Sequence, residues 1–266
     1  MNAWALYGRY VSVSVRSQLQ YRAAVWMQSV GHLLVTGVEF LGLWALFERF
    51  GGLEGWTLAQ AALFYGLVNV GFSVADATAR GFDTFAQKIR MGDFDRILLR
   101  PRSTVLQIAG SELTVKRVGR LLQGLVVIAW GWWSLGLGAD LAAAALMLWA
   151  LVGTVCLFYG IIVVQATITF WTTESLELMN TITYGGVETA QYPMAIYQRW
   201  FRRFFTFVVP LACVSYFPVV AVIGRDDPLG SPLWFQWVSP VMGVLFLAGA
   251  LRLWRFGERH YTSVGS

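Results

Sequence analysis

Hydrophobic positions along the chain gather into long runs separated by shorter polar stretches. Apolar runs at about 24–48, 59–80, 118–137, 141–171, 201–223 and 237–256 are each close to the roughly 20 residues that cross a bilayer as a helix. The fourth is long enough to tilt or to project past the bilayer. Pro210 and Pro218 interrupt the fifth. From Pro218 to Trp237 the pattern predicts irregular backbone, with short half-helices dipping into the membrane from outside. Such backbone is tolerated there only under a cover of protein or water. Residues 172–200 are polar, and Gly185, Gly186 and Pro193 are expected to break them into pieces.

Two polar stretches carry helical spacing of their own. In residues 3–22, Trp4, Tyr7, Tyr10 and Val11 share one helical face among Arg9, Arg16 and Arg22. This predicts an amphipathic helix on the inner membrane surface. Between the second and third runs, Phe82, Phe85 and Ile89 recur at i, i+3 and i+7, with Lys88 and Arg90 among them. That spacing predicts a short helix on the membrane surface, apolar side down. Gly92 breaks it, Asp93 can cap the next turn of helix, and Arg100-Pro101 stops that turn. Flanked by Gly81 and Gly92, such a helix suits docking to a cytoplasmic motor, and equally a lipid anchor. Residues 103–117 are polar enough to lie at the interface.

Composition settles the solvent. The chain is 57% hydrophobic and only 13% charged, about half the charged fraction of a soluble domain. The net charge of +5 would suggest nucleic acid in a soluble protein; here it reflects basic residues held on one side of a bilayer. With the N-terminus inside, inner segments hold 18 of the 20 basic residues and outer segments only Arg49 and Arg225. The outer turns carry Glu48, Glu54, Asp140, Asp226 and Asp227 instead. The expected fold is therefore an all-α integral membrane protein with six transmembrane helices, both ends cytoplasmic, in a single domain. The first run is too long for a cleavable signal core. Trp130, Trp132 and Trp133 read as an interfacial aromatic belt. Cys156 and Cys213 read as small buried hydrophobes.

The intramembrane ionisable set is thin. His32 and Glu39, seven residues apart, share a face of the first run. A carboxylate at mid-membrane is costly and normally faces protein or water, so Glu39 serves either a substrate path or a hydrogen bond to a neighbouring helix. Asp76 falls near the inner end of its run and reads as interfacial. There is no GxxxxGK[ST], GxSxG or HExxH pattern, so no nucleotide cradle and no catalytic or metal motif is readable. The sole GxxxG, Gly51 to Gly55, lies in a loop. A permease that borrows an external energy source, an ion-coupled secondary transporter and a non-transport assembly factor all remain open at this point.

Three places carry a family resemblance. Ile89 to Pro101 reads IRMGDFDRILLRP, Val209 to Pro232 reads VPLACVSYFPVVAVIGRDDPLGSP, and the tail reads LWRFGERHYTSVGS. Together they resemble the permease subunits of type-2 ABC exporters, in the branch labelled ABC-type multidrug or uncharacterised transport system permeases. The resemblance spans nearly the whole chain. It implies six spans, a coupling helix between spans 2 and 3, re-entrant elements before span 6, and a bacterial inner-membrane location. It implies two copies of a separate ATPase, which hold ATP and Mg while this chain binds no cofactor, and a second permease, identical or paralogous. The permease itself then hydrolyses nothing. Phe82, Phe85, Lys88, Ile89 and Arg90 become ATPase-coupling candidates, with Gly92 and Asp93 shaping the turn. Pro218, Asp226, Asp227, Pro228 and Pro232 fall in the outer gate region. The resemblance implies a drug-like cargo; from the residues themselves, His32 and Glu39 are the candidates for the substrate path, and a path lined by Trp, Phe and Met suits an amphipathic or lipid-like cargo.

Overall fold

The computed structural model describes residues 3–53, 55–172 and 176–262, which form helices and turns with no strand among them. The chain opens with α1 (Ala3–Leu19) and α2 (Arg22–Phe50), then α3 (Leu58–Thr78). Four short helices follow: α4 (Arg80–Asp83), α5 (Phe85–Arg90), α6 (Asp93–Leu98) and α7 (Thr104–Ser111). Next come α8 (Val118–Ser134), α9 (Leu141–Ile168) and α10 (Leu176–Ala190). The last third holds α11 (Arg199–Arg203), continued by a wide π turn over Phe204–Val208, then α12 (Leu211–Val214), α13 (Tyr216–Ile223), α14 (Leu233–Val238) and α15 (Val241–Arg259). Glu54, the side chain of Trp4, and residues 263–266 of the tail lie outside the described residues.

The central element is α3. Its start is fixed by a reciprocal cap: the Gln60 amide N–H donates to Thr57 Oγ1, and the Thr57 N–H donates to Gln60 Oε1 at 3.0 Å. Of its most apolar stretch 78% is buried, against 17% for α2. It packs on α8 and α9, and α15 packs along α9. Small residues make these approaches close. A Cβ on Gly243 would stand 2.1 Å from the Gly153 carbonyl oxygen, so α9 and α15 touch backbone to backbone. Asp140 starts α9 by accepting from the Ala142 and Ala143 amides at 2.9 and 3.1 Å.

By length and hydropathy α2, α3 and α9 can each cross a membrane, and α11–α13 add a fourth if their bent pair counts as one span. The third and sixth apolar runs form α8 and α15, of 17 and 19 residues. Two expectations change. Gly185 and Gly186 do not break the polar stretch; both lie inside α10, where Gly186 is buried near Leu211. The fifth run is broken at Pro210, with a 71° bend between its halves. Pro218 sits in the first turn of α13, where its missing N–H costs no helical hydrogen bond. The broken backbone is buried from Leu211 to Val220, and Thr154 Oγ1 donates to the Val214 carbonyl at 3.2 Å. That cover is what irregular backbone at membrane depth requires.

Candidate functional site

The surface helix expected over 81–91 is two short pieces, α4 and α5, stepped at Thr84, and α6 follows beyond the step at Gly92. Gly92 takes φ +71°, the left-handed turn it was expected to make. Asp93 does not cap; it is the first residue of α6 and pairs with Arg96 at 3.6 Å.

The apolar side of these pieces rests on protein instead of lipid. Phe82, Phe85, Ile89 and Phe94 are buried around the fully buried Trp254 of α15. Ring centroids of Phe82, Phe85 and Phe170 lie 5.1, 4.7 and 5.0 Å from that of Trp254, mostly edge to face. The Trp254 indole N–H donates to Thr104 Oγ1 at 3.3 Å, and that hydroxyl donates to Glu258 at 3.0 Å. Residues 104–110, expected at the interface, supply the buried Ile108 and Ala109 to this core. Gly81 lets α4 meet α7: a Cβ there would lie 1.9 Å from the Ile108 carbonyl oxygen. What remains outward is Gln87, Arg90, Met91, Arg96, Leu98, Leu99 and Arg100. Between α5, α6 and Glu112 a polar cleft of about 400 Å³ opens, floored by Lys88 and walled by Arg96 and Arg100.

Behind the cleft, residues 112–114 run without helix and 115–117 turn into α8; this half-buried linker finds its backbone partners elsewhere. Ser14 of α1 donates to the Leu113 carbonyl at 3.0 Å and accepts from its amide at 3.1 Å. Gln18 accepts from the Val115 amide at 3.0 Å, and the Thr114 amide donates to the Ala77 carbonyl at 3.0 Å. Lys88 Nζ pairs with Glu112 at 2.6 Å. At the other end Arg117 pairs with Asp76, and His32 of α2 stands 3.3 Å from the same guanidinium. Asp76, expected near the inner interface, is buried against the Arg117 side chain. Burial also holds the carboxyl of nearby Asp83 above its ordinary range, opposed by the Arg80 guanidinium.

His32 and Glu39 part company. Glu39 is exposed on the chain and has no hydrogen bond or ion pair among the described residues. Across from it, Arg120 is buried: its Nε donates to Asn69 Oδ1 at 2.6 Å and its guanidinium lies 4.9 Å over the Phe72 ring. Glu39 and Glu188, exposed on α10, are both within electrostatic reach of Arg120. Neither Arg120 nor Glu188 was singled out from sequence. From sequence Arg120 counts only as one of the inner positive charges.

At the far end, the candidates after Pro218 form one pinned loop. Asp227 Oδ1 accepts from the Tyr216 hydroxyl at 2.7 Å and the Leu229 amide at 3.0 Å, while Oδ2 accepts from the Ser231 amide at 3.0 Å. Arg225 lies 4.2 Å over the Trp56 ring and donates to the Gly55 carbonyl at 2.8 Å. Asp226, Pro228 and Pro232 occupy the same loop, and Pro232 precedes α14. Pro218 is buried in α13 instead. Asp227→Asn is expected to lower stability by about 1–2 kcal/mol, the scale of a weakened charge-assisted hydrogen bond. A melting curve of the purified variant reads it, and no change would mean that the loop is not held by Asp227.

The whole arrangement from α2 onward coincides with a known protein family: residues 33–265 match the model of the ABC-2 family transporter proteins. The chain belongs to the ABC-2 transporter family. No curated protein and no solved structure matches it alongside. An ABC-2 family member of this kind is a multi-pass membrane permease, a transport subunit that is not itself the ATPase and that works with an ABC ATPase. The match takes in α4–α6, the linker at 112–117 and the loop around Asp227.

Proposed function

We propose that this ABC-2 permease is the membrane half of an ATP-driven exporter in a bacterial inner membrane. It crosses six times with both ends cytoplasmic and pairs with a second permease, identical or paralogous. Two ATPase copies, carrying the ATP and Mg, bind at the basic end. The observation that carries the reading is the family match joined to that end's architecture. Three stepped helices are anchored inward by Phe82, Phe85 and Ile89 and present Gln87, Arg90, Met91, Leu99 and Arg100 outward. Of the coupling candidates, the aromatic ones then hold the element in place, Gly92 and Asp93 set its step, and the outward side chains meet the ATPase. Coupling is mechanical, through differential contact with two ATPase states.

The second permease covers the open side of the bundle. Trp26, Met27, Leu34 and Val38 of α2 are exposed, as are Trp200, Phe207 and Val208 after α10, and Glu39 would be stranded in lipid without cover. An amphipathic cargo moving outward suits a path with aromatic walls and few charges. The loop held by Asp227 and Arg225 closes its outer end.

Pull-down of the tagged chain from native membranes in mild detergent, with mass identification of its companions, tests the assembly. An ATPase with a Walker motif, alone or with a second six-span protein, is expected. Recovery of the chain without any ATPase, under conditions that preserve a known ABC complex, would return the reading to an ion-driven carrier. Glu39→Gln is expected to leave the melting temperature unchanged, within the roughly 0.5 kcal/mol of a surface change, yet to reduce export. Unchanged export would remove Glu39 from the path.

A further inference from the structure

The segment from Glu112 to Arg117 touches more parts of the molecule than its length suggests. It is bound to α1 through Ser14 and Gln18, to α3 through the Ala77 carbonyl and Asp76, to α5 through Lys88, and to α2 through His32. We propose that this linker is the transmission element of the permease, with Glu112, Arg117 and Asp76 as positioning residues. It would carry displacement of the docking helices to the first membrane helix, α2. The inference rests on the ATPase docking at α5 and α6.

Geometry gives the segment two charged ends and a stiff middle. At one end the Lys88–Glu112 pair joins it to α5 under the cleft, where the Lys88 side chain is only 13% exposed. In the middle, the Leu113 and Val115 backbone is clamped to α1, so the segment and α1 move together. At the other end Arg117 leads directly into α8 and bears on Asp76, whose side chain is 6% exposed. Removing one partner of such a shielded pair leaves an uncompensated charge, so the contact resists parting.

The element receiving the push is also the one free to move. α2 is the least buried of the membrane-length helices. Its fixed points on the bundle include the Arg117–His32 contact, the Tyr65 hydroxyl donating to the Thr36 carbonyl at 2.7 Å, and the close passage of Gly119 under Ser29. Two of these three lie at Arg117 or within two residues of it. A shift of the linker therefore acts on α2 near its inner end while α3, locked in the core, stays put. Contiguity alone does not prove coupling; a variant that cuts the chain of contacts without loosening the fold does.

The test uses the permease with its ATPase in lipid nanodiscs and spin labels at Val35 on α2 and Leu148 on α9, both exposed. The distance is read without nucleotide and with vanadate-trapped Mg-ATP. In the wild type trapping is expected to move α2 relative to α9. In Glu112→Gln the ATPase still co-purifies, and the population shift on trapping falls about fivefold, the loss of a small coupling free energy. Asp76→Asn is expected to do the same from the other end. The exchange Lys88→Glu with Glu112→Lys rebuilds the pair and restores the shift, which a merely structural lesion would not do. A wild-type shift in Glu112→Gln with the ATPase bound overturns the proposal, as does a failed rescue by the exchange. Absence of the ATPase from the wild-type preparation would instead overturn the docking reading, and this inference with it.

Discussion

Phe85→Asp is expected to melt the basic end of the molecule and, only as a consequence, to lose the ATPase. Phe85 is fully buried, with its ring 5.0 Å from Phe94, 5.2 Å from Phe170 and 4.7 Å from Trp254. Truncating a buried Phe costs about 3–5 kcal/mol, and an unpaired carboxylate in the space adds a few more. The loss is a large part of the stability of a typical domain. A thermal melt of the purified protein and limited proteolysis around 80–100 should both show it. The informative comparison is Met91→Asp with Leu99→Asp, at side chains 66% and 85% exposed. That variant is expected to melt within about 0.5 kcal/mol of wild type and to release the ATPase in the pull-down. If Phe85→Asp melts like wild type while still losing the ATPase, then Phe85 is a docking residue and the Trp254 core is misassigned.

The sequence already contained the spacing of that core but not its partner. Phe82, Phe85 and Ile89 announce an amphipathic helix, and nothing local tells lipid from protein as the surface beneath. The answer lies in Trp254, some 170 residues later in a run that reads as one more membrane helix. The same distance hides the ion pairs. Asp76 looks interfacial because it stands near a helix end, and Arg117 looks like one more inner charge; their pairing appears only when α3 and α8 are side by side. Apolar runs, by contrast, are local signals, and they placed α2, α3 and α9 to within a few residues. Pro210 and Pro218 show the limit of reading punctuation alone. Both can stop a helix, but Pro218 stands in the first turn of α13, and only Pro210 marks the bend.

Helix packing was the least legible part, and Gly243 shows why. No GxxxG occurs in the apolar runs, because the glycines that meet are on different helices: Gly243 of α15 faces Gly153 of α9. Gly243→Val is expected to destabilise the protein by on the order of 3 kcal/mol, at the upper end for overpacking. The reason is that the added atoms meet a backbone carbonyl, which cannot swing aside as a side chain can. The effect should reach the opposite end of α15. Trp254 lies eleven residues on, about 16 Å along the axis, so a helix pushed off α9 at Gly243 pulls Trp254 away from Phe82 and Phe85. Fluorescence of the intrinsic tryptophans and the pull-down of the ATPase should change together with the melt. Gly249→Ala, six residues along the same helix, is the counter-case. Nothing lies within 4 Å of a Cβ there, so the variant is expected to stabilise by up to about 1 kcal/mol through helix propensity alone. Equal behaviour of the two variants would mean that α15 does not touch α9 through Gly243.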